Sequence, residues 1–202
     1  MADGPAYYYR FSGLYSLHLA VPPFAAWVRR NHASLQRALP SLPPGSRVLE
    51  IGGGIGRLSR VLAQRYPDCT ITSIDASADM TRRAQAEVSP SNLSFETRSF
   101  WDVSERFALV VCAGCWEFFE REPSAVQLVS LLEPGGTAII NTLAPAPFSQ
   151  VRESLFRRVW GTQMWLHTPD ALAGALRERG CLVRWEGVNR TEGSYTLTAR
   201  KG

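Results

Sequence analysis

Apolar positions in this chain fall into short runs that alternate with stretches at helical spacing, and turn formers separate the two kinds of segment. The first run, Arg47-Val48-Leu49-Glu50-Ile51, follows the breaker Leu42-Pro43-Pro44-Gly45, and the helical spacing then runs from Gly56 to Ala63. Strand, glycine turn and helix therefore come in that order. Cys69 to Asp75 and Leu93 to Thr97 read as the second and third strands. Phe107 to Cys112 is nearly continuous in apolar residues, the pattern of a parallel strand covered on both faces. A helical stretch is predicted to open at Gly114-Cys115-Trp116-Glu117-Phe118-Phe119 and to run to Leu131, with a fifth strand over Thr137 to Thr142. Thr168 followed by Pro169 is a helix start, and Gly180 stops that helix before a strand at Cys181 to Trp185. The last strand spans Ser194 to Arg200.

This alternation predicts an α/β fold with a seven-stranded, mostly parallel sheet and helices on both faces. The two final strands have no helix between them, so the sheet should end in a C-terminal antiparallel hairpin. With 202 residues, 45% of them hydrophobic, the chain can bury one core without disulfides or metals. Residues 1–41 are expected to form an N-terminal aromatic and basic helical cap, joined by the proline-rich stretch 39–45 to a single compact unit over 42–202.

The glycine turn narrows the chemistry. Glycines at 52, 54 and 56 let a ligand approach backbone amides at a helix start, where a Cβ would collide. A dinucleotide fingerprint needs G-x-G-x-x-G, but Arg57 or Ser59 stands where the third glycine belongs, which weakens a nicotinamide oxidoreductase reading. Glu50, at the end of the strand, would repel a pyrophosphate but can pair with an ammonium group. Val48 to Gly56 resembles the first motif of class I S-adenosylmethionine-dependent methyltransferases, and within them the ubiquinone and menaquinone biosynthesis group. The resemblance covers roughly residues 42 to 201 and implies a Rossmann-like sheet. Leu132-Glu133-Pro134-Gly135-Gly136 resembles the family's L-x-P-G-G turn, and Asp75-Ala76-Ser77-Ala78-Asp79-Met80 its D-x-S-x-x-M segment.

What the resemblance implies is a cofactor, S-adenosyl-L-methionine, with S-adenosyl-L-homocysteine as product. Glu50, Gly52, Gly53, Gly54 and Gly56 would hold its amino-acid end, and Asp75 would accept both ribose hydroxyls. Ala76 and Met80 would pack on the adenosine, with Phe100 and Cys112 lining its pocket. At the adenine position the family commonly has an aspartate where this chain has Ser99, so either the serine hydroxyl accepts that bond or Asp102 reaches back. Ala108 replaces a second aspartate of the family pattern.

Composition sharpens partners and compartment. The net charge is +4, and the first 47 residues hold five arginines against one aspartate. Only Arg29-Arg30 is a cluster, so a solvated helix face is preferred and no nucleic-acid partner is predicted. No stretch reaches about 18 uncharged apolar residues and no signal-peptide core is evident, so a cytoplasmic protein without stable membrane insertion is expected. Cysteines 69, 112, 115 and 181 are expected to be reduced and buried, and no metal site is predicted, because Cys112-Ala113-Gly114-Cys115 lacks a matching second ligand pair.

Two aromatic stretches are either core or a lid over the acceptor. The first contains Tyr7, Tyr8, Tyr9, Phe11, Tyr15, Phe24 and Trp27, and the second runs from Phe148 to Trp160 and on to Trp165. As a lid they favour a small hydrophobic or aromatic metabolite, with Arg152, Arg157 and Arg158 available to hold an anionic group on it. Methyl transfer needs alignment and, for some acceptors, a base. His167, His18 and Glu117 are the candidates, the glutamate also being placed to orient an amine or hydroxyl. The alternative is a cyclase-like enzyme or binding module that keeps the cofactor without transferring its methyl.

Overall fold

The most continuous apolar run of the chain lies at the middle of the sheet. In a computed structural model, which describes residues 22–145, 153, 154, 158, 163–189 and 193–202, Phe107–Ala113 forms β4. It runs parallel between β1 (Arg47–Ile51) and β5 (Leu132–Leu143). Its side chains alternate between two cores. Leu109 and Val111 join Leu35 of α1 (Pro22–Ala38) and Leu58, Leu62 and Ala63 of α2 (Arg57–Arg65). Val110 and Cys112 join Ala125 and Leu128 of α4 (Arg121–Ser130) and Leu172 and Leu176 of α5 (Pro169–Arg177). A strand covered on both faces has no polar side to show, which is why its sequence lacks alternation.

Outward from β1 lie β2 (Thr70–Asp75) and β3 (Leu93–Thr97), both parallel, with α3 (Ala78–Gln85) between them in sequence. Beyond β5 come β7 (Ser194–Lys201) and then β6 (Cys181–Asn189), each antiparallel to its neighbour, giving the order β3-β2-β1-β4-β5-β7-β6. The architecture is thus the α/β, Rossmann-like sheet with a C-terminal antiparallel hairpin and helices on both faces. The order reverses between β1 and β4, where open α/β sheets hold ligands beyond the strands' carboxyl ends.

β6 runs on to Asn189, past the expected end at Trp185, and two further boundaries next to the site differ from those read in the sequence. β5 starts at Leu132 instead of Thr137, because Pro134-Gly135-Gly136 forms an irregularity inside the strand opposite Phe107 and Leu109. Gly135 takes φ +73, and a Cβ on Gly136 would lie 2.8 Å from the Glu133 carbonyl oxygen. The helix predicted from Gly114 is delayed to Arg121, preceded by one 3-10 turn at Trp116–Phe118. Tertiary bonds hold this stretch off the helical path: Trp165 N–H donates to the Glu117 carbonyl at 2.8 Å, and the His167 ring lies 3.0 Å from the Phe119 carbonyl. The helix start at Thr168 is as read, its hydroxyl accepting from the Ala171 amide at 3.2 Å.

α1 is docked by a buried polar relay. Asn141 donates to Thr196 at 2.9 Å, the Thr196 and Ser34 hydroxyls share a 2.8 Å bond, and Ser34 donates to Glu186 at 2.8 Å. Among the described residues no helix is long and apolar enough to cross a membrane.

Candidate cofactor and acceptor site

Between β1 and α2 the chain turns through Gly52, Gly54 and Gly56 at φ +72, +55 and +81, values that side chains rarely adopt. The Gly52 and Gly53 amides donate to the Ile74 carbonyl at 2.9 and 3.0 Å, and the Gly54 amide donates to Asp75 Oδ2 at 2.8 Å. The loop is therefore tied to the end of β2. A Cβ on Gly52 would stand 2.5 Å from Cys115 Sγ, one on Gly53 1.9 Å from Ser73 Oγ, and one on Gly56 2.6 Å from Arg60 Nη1. Over Gly54 a Cβ would meet nothing within 4 Å. The turn is packed from behind and bare in front, and no side chain caps the first turn of α2, so a nucleoside with an amino-acid tail fits it.

Glu50 lies under this turn, fully enclosed. One of its carboxyl oxygens accepts bonds from the Ser59 hydroxyl and, at 2.9 Å, from the Ser73 hydroxyl. Burial lifts its pKa to about 7 against the opposing pull of those two hydroxyls. Asp75 accepts from the Gly54 amide on one oxygen and from the Ser77 amide at 2.8 Å on the other. Burial raises its pKa while these amides lower it, and each oxygen keeps acceptor capacity.

The adenosine candidates divide by depth. Ala76 is exposed at the rim, whereas Met80 is enclosed and its amide caps onto Ser77. Ser99 uses its hydroxyl to accept from the Trp101 amide at 3.3 Å, capping the turn Phe100–Asp102. Phe100 is only 3% exposed, ringed by Trp101, Trp116 and Phe119 at 4.9 to 5.8 Å between centroids, while Trp101 reaches the surface at 39%. Cys112 is a core residue whose sulfur lies 2.9 Å behind that of Cys115. Cys115 is partly exposed, so it departs from the expectation that all four cysteines are buried; it donates to the Ile51 carbonyl at 3.3 Å and faces Gly52.

Of the candidate bases, Glu117 is 5% exposed and accepts from the Thr142 hydroxyl of β5 at 2.9 Å. Its charge adds to burial in raising the pKa of Tyr195, and it contributes in the same direction at Cys115, so it stands near both. His167 is buried, which lowers its pKa despite the Phe119 carbonyl beside Nε2. That contact ties two chain segments together. His32, on α1, is likewise held below its ordinary value by burial and by Arg57. His18 lies outside the described residues, as do Tyr7 to Tyr15 and, apart from positions 153, 154 and 158, the stretch 148–160. Of Arg152, Arg157 and Arg158 only the last is described, and it is exposed.

Ser59, Ser73, Arg60, Cys115 and Thr142 were not legible as site residues. Ser59 carried the one available signal, a polar residue among the apolar positions of α2.

Comparison with known proteins agrees with this geometry. The sequence model of a methyltransferase domain matches residues 24–184. A trans-aconitate 2-methyltransferase from Streptomyces avermitilis is 27% identical over 182 residues, covering 78% of this chain and 66% of its own length. A ubiquinone biosynthesis O-methyltransferase from Xanthomonas campestris is 30% identical, covering 60% of this chain and 52% of its own length. The chain thus spans about half to two thirds of these two relatives. An S-adenosylmethionine-dependent methyltransferase structure from Mesorhizobium loti superposes with a TM-score of 0.71 at 17% identity, covering 85% of this chain and 98% of the other.

Proposed function

Because this chain belongs to the methyltransferase domain family, we propose that it moves the methyl group of S-adenosyl-L-methionine to a small hydrophobic or aromatic molecule, releasing S-adenosyl-L-homocysteine. The observation that carries this reading is the bond from the Gly54 amide to Asp75. It joins the bare glycine turn, beside the sheet's switch point, to the acid at the end of β2, so that a ribose and an amino-acid tail can be held together.

When bound, the cofactor supplies a sulfonium whose methyl is already activated, and the protein's work is alignment. Asp75 accepts the ribose hydroxyls on the lone pairs that Gly54 and Ser77 leave. Gly52, Gly53, Gly54 and Gly56 let the tail approach the backbone, and Glu50 offsets its ammonium charge from below. Ala76, Met80, Ser99 and Phe100 build the adenosine wall, with Cys112 supporting Cys115 behind it. Glu117, braced by Thr142, orients an acceptor hydroxyl or amine or takes its proton; His167 and His18 are the alternative bases. α1, the described part of the proposed 1–41 cap, is anchored to the sheet through Ser34. Exposed Trp165 beside Glu117 and the names of the two relatives support a small-molecule acceptor.

The test is calorimetry with S-adenosylhomocysteine, followed by transfer of a labelled methyl to a panel of small carboxylic acids and phenols. Asp75→Ala is expected to weaken binding about a hundredfold, since two hydrogen bonds to a charged group are lost. If the wild type and Asp75→Ala titrate alike, the reading fails. Binding without label in any acceptor favours the cyclase-like or binding-module alternative.

A further inference from the structure

We propose that Arg60 is a positioning residue that sets the cofactor turn. This inference rests on the cofactor reading above. Arg60 stands in the first turn of α2, and its guanidinium points back at the chain it has just left. Nη1 donates to the carbonyls of Ile55 and Gly56 at 3.0 and 2.9 Å. Nη2 donates to the carbonyls of Ala84 and Glu87 at 2.6 and 3.5 Å, and Nε to that of Val88 at 3.2 Å. An arginine has five N–H donors, and five main-chain carbonyls stand within reach of them. The plane also lies over the Phe95 ring, 5.4 Å from its centroid, and the Glu87 carboxylate is 3.4 Å away.

The two carbonyl sets belong to the two segments that form the proposed cofactor site. Ile55 and Gly56 end the glycine turn. Ala84 lies in the last turn of α3, the end of a helix that favours a cation, and Glu87 and Val88 follow it. α3 itself begins directly after Asp75 and its partner Ser77. The turn and α3 are therefore joined at the near end by the Gly54–Asp75 bond and at the far end by Arg60.

The consequence for the ligand follows from peptide geometry. In a planar trans peptide the carbonyl and the N–H point in opposite directions. Drawing the Ile55 and Gly56 carbonyls toward Arg60 turns the Gly56 and Arg57 amides away from it. The Gly56 amide accordingly donates across the turn to the Gly53 carbonyl at 2.9 Å. Gly56 also has to be glycine for this reason: a Cβ there would stand 2.6 Å from Arg60 Nη1 and 2.7 Å from Phe95 Cζ. A lysine carries a point charge with three donors and cannot span both carbonyl sets.

The experiment compares wild type, Arg60→Lys and Arg60→Gln with S-adenosylhomocysteine in the calorimeter, alongside thermal unfolding and steady-state kinetics in both substrates. The expected result is a loss of cofactor affinity on the order of tenfold in both variants, seen in the KM for S-adenosylmethionine. kcat and the acceptor KM should stay within about twofold, because the reacting atoms are untouched once the cofactor is bound. Amide hydrogen exchange should accelerate over residues 52–57. Arg179→Lys, which loosens a surface contact to Glu122 far along the chain, serves as a stability control with unchanged affinity. Wild-type affinity in Arg60→Lys and Arg60→Gln, or a loss confined to thermal stability, overturns the role of Arg60 while the cofactor reading stands. A wild type that binds no S-adenosylhomocysteine overturns both.

Discussion

Glu50 shows what a single buried carboxyl does to this fold. With a folded pKa of about 7 against an ordinary 4.5, it holds its proton more tightly folded than unfolded. Between those values the folded state binds more protons, so unfolding free energy falls as pH rises, by at most about 3 kcal/mol from this group. Urea unfolding from pH 5 to 8 should show that slope in the wild type and a shallower one in Glu50→Gln. The same group reports on the cofactor. An ammonium placed beside it favours the carboxylate, so binding near pH 7 should release protons, measurable as a dependence of calorimetric heat on buffer ionisation enthalpy. No proton release would mean that Glu50 only braces Gly53. The acid itself was legible in the sequence from its place before the glycines. Ser59 and Ser73, nine and twenty-three residues away, were not, because only the packing of α2 on the sheet brings the Ser59 hydroxyl to it and only the pairing of β1 with β2 brings that of Ser73.

At the scale of elements, the glycine turn separates conformational from steric need. Gly54 has a positive φ with open space above it, whereas Gly52, Gly53 and Gly56 have neighbours where a Cβ would go. Gly54→Ala should therefore destabilise the fold by only about 1–2 kcal/mol, the strain of a left-handed residue, yet obstruct the ligand's approach. Denaturant midpoints and S-adenosylhomocysteine titration read the two effects separately. Comparable loss of stability with undiminished binding would place the ligand elsewhere. Some elements were readable for local reasons. The continuous apolar run of β4 and the Thr168-Pro169 start of α5 carry their cause within a few residues. The start of α4 does not: Trp116 to Phe119 has helical spacing, but contacts from Trp165 and His167 hold it off the helical path.

Across the molecule, the relay Asn141, Thr196, Ser34, Glu186 links α1 to three strands of the sheet's antiparallel end. Removing its centre with Ser34→Ala leaves the buried Thr196 hydroxyl without its acceptor and should lower global stability by about 1–2 kcal/mol. Because the bond joins elements that share a core, protection of residues 25–38 and 194–201 in hydrogen exchange should fall together. Selective loss in α1 alone would make it a separate unit, consistent with a boundary at residue 41. The sequence by itself determined what depends on neighbours along the chain: the strand–turn–helix order, the glycines, the acids at 50 and 75, and the hairpin end of the sheet. Periodicity and backbone freedom are properties of contiguous residues, so they survive in one dimension. Tertiary structure decided what depends on residues far apart in sequence. It put Cys115 in front of Cys112, enclosed Phe100 and left Trp101 at the surface, braced Glu117 with Thr142, and gave Arg60 five carbonyls from two segments. Those contacts arise only when the sheet brings its carboxyl ends to one edge, and no local pattern encodes which side chains meet there.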